Sequence, residues 1–224
     1  MHGRTRRLGA ALIGAVAAFG AVAGPAAAAP APDCQGSLFT DARGDARDKR
    51  VVLANPQHLL DGVGLPVGDN ADIINGFLTT DPDGTVRINL QIANMSKTVP
   101  QGATALSWYF GYRIVGIDTP EFVSATTDGT NYSFGYGHYD RLYRSDGATS
   151  GDVIEGTDGF VSIALPDAYV GDTIEQTYAS AFIATGATVP GVGSASSLNA
   201  ADNAPDAGGE GGTNVGSYQA GSCI

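Results

Sequence analysis

Histidine and cysteine, which carry much of protein metal and nucleophilic chemistry, are scarce in this chain. It has three histidines and two cysteines in 224 residues, and His2 lies in a segment that we expect to be removed. His58 and His138 belong to no H-E-x-x-H pattern, and the chain has no G-x-S-x-G, P-loop or C-x-x-C motif. His138 is interpreted as an exposed loop residue. The sequence therefore predicts no catalytic residue and favours a protein that is not an enzyme.

Positive charge is also in short supply. Lysine and arginine total 12 against 23 aspartates and glutamates, and three of the arginines lie near the N-terminus. Without that segment the net charge is −14. Because such a surface cannot exchange counterions for phosphates, we expect no nucleic-acid partner.

The first 29 residues are predicted to be a signal peptide. Arg4, Arg6 and Arg7 precede an apolar run over residues 8–22, and small residues at 26–29 offer a cleavage site. We therefore expect a secreted, extracellular protein, exported by the Sec or the twin-arginine route. No second apolar run is long enough to span a bilayer, so no membrane insertion is expected after cleavage. Residues 30–35 would then be a short leader, and residues 36–224 one domain.

The two cysteines, Cys34 and Cys223, lie at opposite ends of the mature chain. In an oxidising compartment we expect them to form a disulfide. Such a bond would join the first and last strands and favours one domain over two.

Short strand signals, each ended by Gly, Asp, Asn or Pro, follow one another along the mature chain. Val86, Ile88, Leu90 and Ile92 alternate with polar residues, as in a half-buried strand. Helical periodicity is nearly absent. The pattern predicts an all-β, antiparallel, jelly-roll-like β-sandwich in a single domain. The Gly/Ala/Ser-rich stretch at about 190–212 is predicted to be a long loop. The predicted strands are 37–40, 72–79, 85–92, 107–117, 121–127, 132–136, 160–164, 173–184 and 213–220.

Aspartates form clusters at 41–45, 69–72 and 202–206. Aspartate is common in turns, and it is also a frequent ligand of Ca²⁺, which takes six to eight oxygens. If the chain ends meet, the first and third clusters come close together. The sequence leaves both interpretations open: turn residues, or a calcium site as the one cofactor indicated. The candidate ligands are Asp41, Asp45, Asp72, Asp202 and Asp206.

Aromatic residues alternate along two predicted strands, at 108–112 and at 132–136. Side chains at every second position share one face of a strand, and such aromatic faces most often fill a sandwich core. Tyr109, Tyr139 and Tyr143 fall outside these two sets. They are candidates for a ligand-binding platform that stacks on sugar rings.

Two short motifs carry a family resemblance. Residues 39–46 (FTDARGDA) followed by Ala71-Asp-Ile73, and residues 201–206 (ADNAPD), resemble the start and end of secreted actinobacterial-type β-sandwich domains of unassigned activity. These domains are distantly similar to DOMON-like domains and family-9 carbohydrate-binding modules. The resemblance implies a jelly-roll-like sandwich, in some members with bound calcium, and points by position to Asp41, Asp45 and Asp72. The methionines are Met1 and Met95, so the heme-binding branch of DOMON domains is not supported.

Together these features predict a secreted, non-catalytic binding module, glycan-binding and calcium-stabilised, with an extracellular polysaccharide as partner. The alternative is a structural or protein-interaction component of the cell envelope, with a surface protein as partner. The third interpretation is a hydrolase with paired carboxylates, which requires two Asp or Glu about 5–9 Å apart in a cleft.

Overall fold

The computed structural model describes residues 28–48, 65–66, 68–140, 143–168, 170–189, 193–205 and 217–221. In this part of the chain all regular secondary structure is β-strand, which confirms the all-β prediction. The body of the predicted signal peptide lies outside the described residues and stays a prediction. Within them, no helix is long and apolar enough to cross a membrane.

The strands form two antiparallel sheets and one short ladder. In chain order they are β1 (Ser37–Thr40), β2 (Arg47–Asp48), β3 (Leu65–Pro66), β4 (Ile73–Thr80), β5 (Val86–Met95), β6 (Ala105–Ile114), β7 (Glu121–Thr127), β8 (Tyr132–Tyr139), β9 (Tyr143–Ala148), β10 (Gly151–Ile154), β11 (Gly156–Ala164), β12 (Thr173–Val189), β13 (Gly193–Ala204) and β14 (Tyr218–Gln219). The five-stranded sheet has the order β1-β4-β5-β11-β10. The seven-stranded sheet has the order β13-β12-β6-β7-β8-β9, with β14 beside β12, and β2 pairs with β3. This is a β-sandwich-like arrangement; the jelly-roll connectivity stays a prediction.

One hydrophobic core joins the inner faces of the two sheets. The alternating β5 residues Val86, Ile88, Leu90 and Ile92 are fully buried in it, as their period of two predicted. From the other sheet the core takes the β6 aromatics Trp108, Phe110 and Tyr112, and the β8 aromatics Tyr132, Phe134 and Tyr136 pack against it. The interpretation of both aromatic sets as core residues is confirmed.

The two sides of the sandwich are closed differently. On one side the chain itself passes from β9, at the edge of one sheet, to β10, at the edge of the other. On the opposite side the edge strands are β1 and β13, which no chain segment connects directly, and β13 contacts β4 and β2 there. A buried hydrogen bond joins the sheets here, from the Ile73 backbone N–H of β4 to Asp202 Oδ2 of β13, at 2.8 Å.

The strand directions also define two ends. The antiparallel registers of β4 with β5, β6 with β7 and β6 with β12 place the loops 81–85, 115–120 and 165–172 at the same end. The loops 96–104 and 128–131 lie at the other end. A hairpin turn at 81–84 joins the predicted strands 72–79 and 85–92, with the Gly84 N–H donating to the Asp81 carbonyl at 2.9 Å.

Three sequence predictions need correction. The predicted loop at about 190–212 is wrong for residues 193–204, which form β13; small residues with low strand propensity are held there by pairing with residues 179–189 of β12. His138 lies in β8 rather than in a loop, because β8 continues to Tyr139 against β9. Strands β9 and β10 were not predicted, since their Gly, Ser and Asp content is typical of turns.

The chain termini meet as the predicted disulfide requires. Gln35 Nε2 donates to the Gln219 carbonyl and Gln219 N–H donates to Gln35 Oε1, at 2.6 and 2.9 Å. The Tyr218 hydroxyl donates to the Ser37 carbonyl at 2.7 Å. Cys34 is not a free thiol. Cys223 lies outside the described residues, so its pairing with Cys34 stays a prediction.

Candidate functional site

Four aspartates from three distant segments converge at the side of the edge strands β1 and β13. Asp41 and Asp45 follow β1, Asp72 precedes β4, and Asp202 lies in β13. One carboxylate oxygen from each of Asp41, Asp45 and Asp202 lies within 4.8 Å of the others. Asp72 contacts the Asp45 carboxylate. We call these four residues the carboxylate cluster; Asp206, the fifth predicted ligand, lies outside the described residues.

Local backbone structure positions these side chains. The turn after β1 brings Gly44 N–H to Asp72 Oδ2 at 2.6 Å, and Ala42 N–H donates to Asp41 Oδ1 at 3.0 Å. In β13 the register shifts opposite Ala181 and Phe182, which leaves Asp202 facing inward beside Ala181. The turn-residue interpretation is therefore correct for part of the cluster, but these contacts use only some of the carboxylate oxygens.

The remaining oxygens are buried without compensation. Both carboxylate oxygens of Asp45 and Oδ1 of Asp72 are buried and have no hydrogen-bond partner among the described residues. Asp72 is 1% exposed and Asp202 5% exposed. The nearby Arg43 guanidinium bonds to Asp158 instead. Unpaired buried charge is costly, so the cluster is incomplete without protons or a cation.

The electrostatics agree with that conclusion. Burial, which is the largest cause, and the charges of Asp45, Asp41 and Asp72 together raise the pKa of Asp202 to about 7, although the Ile73 N–H hydrogen bond acts in the opposite direction. Burial also raises the pKa of Asp72, although Gly44 N–H and Arg43 act in the opposite direction. Ca²⁺ is coordinated by oxygen atoms, carboxylate oxygens among them, and the cluster offers such oxygens that have no other partner in the described part of the chain. The residues present therefore fit the calcium that the family resemblance implies.

A second group lies on the outer face of the seven-stranded sheet, away from the core. The three predicted platform residues come together here: Tyr143 is 4.9 Å from Tyr109 and 5.5 Å from Tyr139, measured between ring centroids. Sequence reasoning missed three further rings, because they lie on other strands and alternate with small residues rather than with each other. We call the six together the outer aromatic cluster: Tyr109, Phe122, Tyr139, Tyr143, Tyr178 and Phe182.

Glycines form the floor of this cluster. A Cβ on Gly111 would lie 2.2 Å from Tyr178 Cζ, and one on Gly137 would lie 2.8 Å from Phe122 Cζ. The rings can therefore lie close to the sheet only because these positions lack a side chain. Burial raises the pKa of Tyr109 and of Tyr143. At neutral pH a tyrosine hydroxyl is protonated even with its ordinary pKa, and it can donate a hydrogen bond.

A third group, not predicted from the sequence, lies on the inner face at the end formed by loops 115–120 and 165–172. The buried Tyr112 hydroxyl bonds to Glu121, and Glu121 contacts Asp167. Burial raises the pKa of Glu121, and the Asp167 charge adds to that effect. His138, opposite Glu121 in the sheet, lies 2.7 Å from Asp146 between Nδ1 and Oδ2. Nothing in the sequence marks Glu121 or Asp167, because only the fold brings them together.

Comparison with known proteins identifies no relative of this chain. No protein-family model, no curated protein and no solved structure gives a significant match to this chain. The family resemblance described above therefore stays a prediction.

Proposed function

We propose that this chain is a secreted, non-catalytic module that binds an extracellular glycan through the outer aromatic cluster and is stabilised by calcium at the carboxylate cluster. The observation that carries the proposal is the outer aromatic cluster itself. It places four tyrosines and two phenylalanines on the sheet face turned away from the core. A sandwich core does not require aromatic side chains at those positions.

Tyrosine suits a sugar ligand for two reasons. Its ring packs against the apolar C–H faces of a pyranose ring, and its hydroxyl hydrogen-bonds to sugar hydroxyls. The ring planes of the cluster are inclined to one another by 45° to 87°. Such a set lines a corner rather than a flat platform, which favours a single soluble chain over a crystalline polymer surface. The strongly acidic protein favours a neutral glycan over an anionic one.

Affinity electrophoresis of the purified mature protein in gels containing neutral polysaccharides (xylan, mixed-linkage β-glucan, starch) tests this. We expect retardation in at least one gel and a loss of about tenfold in affinity for Tyr139→Ala, since fully burying a large apolar side chain contributes about 1.5–3 kcal/mol and a sugar would cover part of this ring. Tyr139 is 44% exposed, so its removal leaves the fold intact. Tyr132→Phe, on the inner face, is the matched control. No retardation in any gel, or equal retardation of both variants, would contradict the glycan function.

In this proposal calcium is held by Asp41, Asp45, Asp72 and Asp202. The ion would place positive charge beside carboxylate oxygens that have no hydrogen-bond partner among the described residues. It would also join the two sheets on the side where no chain segment connects them. The predicted Cys34–Cys223 bond would strengthen the meeting of the termini, which Gln35, Gln219 and Tyr218 already hold by hydrogen bonds. By the chain-entropy estimate a loop of this length contributes roughly 5 kcal/mol at most.

The hydrolase alternative gains little support from the Glu121–Asp167 pair. These carboxyl groups are in direct contact. A glycosidase needs about 5–9 Å between its two carboxyl groups, so that a sugar and a water molecule fit between them. A shared proton is the simpler role for this pair.

A further inference from the structure

The exposed hydrophobic side chains of this protein are concentrated at one end. In the part of the chain that the structure describes, the large hydrophobic residues classed as exposed are Val115, Ile117, Tyr139 and Val170, at 41% to 54% exposure. All four lie at the end formed by the loops 81–85, 115–120 and 165–172, which we call the apolar end. Single exposed hydrophobics need no explanation, but their concentration in neighbouring loops marks an interaction site.

Backbone hydrogen bonds fix the segments that carry these side chains to neighbouring segments. Val115 N–H donates to the Thr173 carbonyl and Tyr139 N–H to the Pro120 carbonyl, both at 2.9 Å. Gly171 N–H donates to the Ala220 carbonyl at 2.7 Å, which ties the loop bearing Val170 to the C-terminal segment. The exposed side chains are therefore carried on loops fixed to each other, not on independent segments.

The apolar end is also acidic. Among the described residues, Arg87 there is engaged by Asp81, and Arg113 and Arg144 lie on the adjoining strands. Beside Val170 opens a cleft of about 640 Å³ with three aspartates, Asp33, Asp81 and Asp83, in its lining. The exposed acidic residues of this end are Asp83, Asp118, Asp140 and Asp167.

Exposed hydrophobic side chains together with negative charge indicate what kind of partner this end would bind. A second copy would bring the same negative charges, and an anionic lipid surface would be repelled in the same way. A segment with lysine or arginine among apolar side chains satisfies both features, because its apolar groups cover the exposed residues while its basic groups meet the carboxylates. We propose that the apolar end is a docking surface for a basic, apolar segment of a partner protein. This surface adjoins the outer aromatic cluster at Tyr139, extends from there over the loops that carry Val115, Ile117 and Val170, and gives the protein-interaction alternative a specific location.

Synthetic peptides provide the probe. We expect a twelve-residue peptide of alternating leucine and lysine to bind the mature protein in fluorescence anisotropy titrations at 50 mM salt. Peptides with serine for leucine, or glutamate for lysine, should bind at least tenfold more weakly. The double variant Ile117→Ser/Val170→Ser should lose at least tenfold in affinity with an unchanged melting temperature, since both residues are exposed. Thr130→Ala, in the loop 128–131 at the opposite end, is the matched control.

Three outcomes would overturn the proposal. Equal binding by the double variant and the control would mean that net charge alone attracts the peptide. Equal binding of the leucine–glutamate and leucine–lysine peptides would remove the role of the carboxylates. A concentration-dependent dimer in sedimentation, lost in Ile117→Ser/Val170→Ser, would identify the occupant as a second copy.

Discussion

The carboxylate cluster and the Glu121–Asp167 pair both bury acidic groups that are too close together, but they differ in what can neutralise them. Glu121 has a tyrosine hydroxyl as donor and one buried oxygen, Oε2, without a partner among the described residues, and Asp167 is exposed. One shared proton or access to water is enough there. In the carboxylate cluster four aspartates meet, and Asp45 has neither oxygen hydrogen-bonded among the described residues.

Within the described residues, three buried oxygens of Asp45 and Asp72 are unpartnered in the carboxylate cluster, against one oxygen of Glu121 at the pair, and this larger number is what supports a proposed cation at the cluster rather than a shared proton. The two groups also join different parts of the structure. The pair joins β7 to a loop at one end, whereas the carboxylate cluster lies across the open side between β1 and β13. Removing its neutralising charge should therefore affect the whole sandwich, and removing that of the pair only one end.

Calcium should produce the largest effect. At 100 times its Kd, a native-state ligand adds about 2.7 kcal/mol to the free energy of unfolding, a rise of about 5–10 °C in Tm for a domain of this size. We expect this shift when calorimetric melts in excess Ca²⁺ are compared with melts in EGTA. Asp45→Asn should abolish it by removing a ligand charge. Asp140→Asn, which removes one exposed charge at the other end, should keep it; identical melts of the unmodified protein with Ca²⁺ and EGTA would leave the aspartates as turn residues.

The pH dependence in EGTA should be the next largest effect. The folded-state pKa of Asp202, about 7, lies above its unfolded value near 3.8. The native state therefore holds a proton that the unfolded chain has released, and stability falls as pH rises from about 4 toward 7, by on the order of 2–4 kcal/mol. In excess Ca²⁺ this loss should disappear, because the ion replaces the proton. Urea titrations at steps across this range measure it, and a loss of the same size in both conditions would show that the cluster is not the site of Ca²⁺ binding.

Glu121→Gln should have the smallest effect. Glutamine keeps an oxygen for the Tyr112 hydroxyl and removes the charge next to Asp167, so we expect a gain of about 1 kcal/mol at pH 7. Because the pKa of Glu121 is raised, the native state favours its protonated carboxyl form. The free energy of unfolding therefore falls as this proton is lost at higher pH. The gain should vanish below pH 4 and be the same in Ca²⁺ and EGTA, as measured by Tm. A gain in Tm that depends on calcium would contradict this, because it would mean that the Glu121–Asp167 pair and the carboxylate cluster are coupled. Glu155→Gln, at an exposed ion pair, is the control.

The sequence predicted the carboxylate cluster in part. The Asp-rich turns named Asp41, Asp45 and Asp72, and the expected meeting of the chain ends brought in Asp202. The sequence could not tell which oxygens would remain unpartnered, because that depends on Gly44 N–H and Ile73 N–H, which reach Asp72 and Asp202 only in the folded chain.

Local pattern determined the all-β class, the strands with alternating residues such as β5, and the inward face of Trp108, Phe110 and Tyr112. It did so because a period of two reports burial on one side of a strand, whatever the strand pairs with. Only the tertiary structure decided that residues 193–204 form a strand, that Tyr109, Tyr139 and Tyr143 meet Phe122, Tyr178 and Phe182, and that Glu121 meets Asp167. These outcomes depend on contacts between segments far apart in the chain, and such contacts leave no periodic trace in the residues that make them.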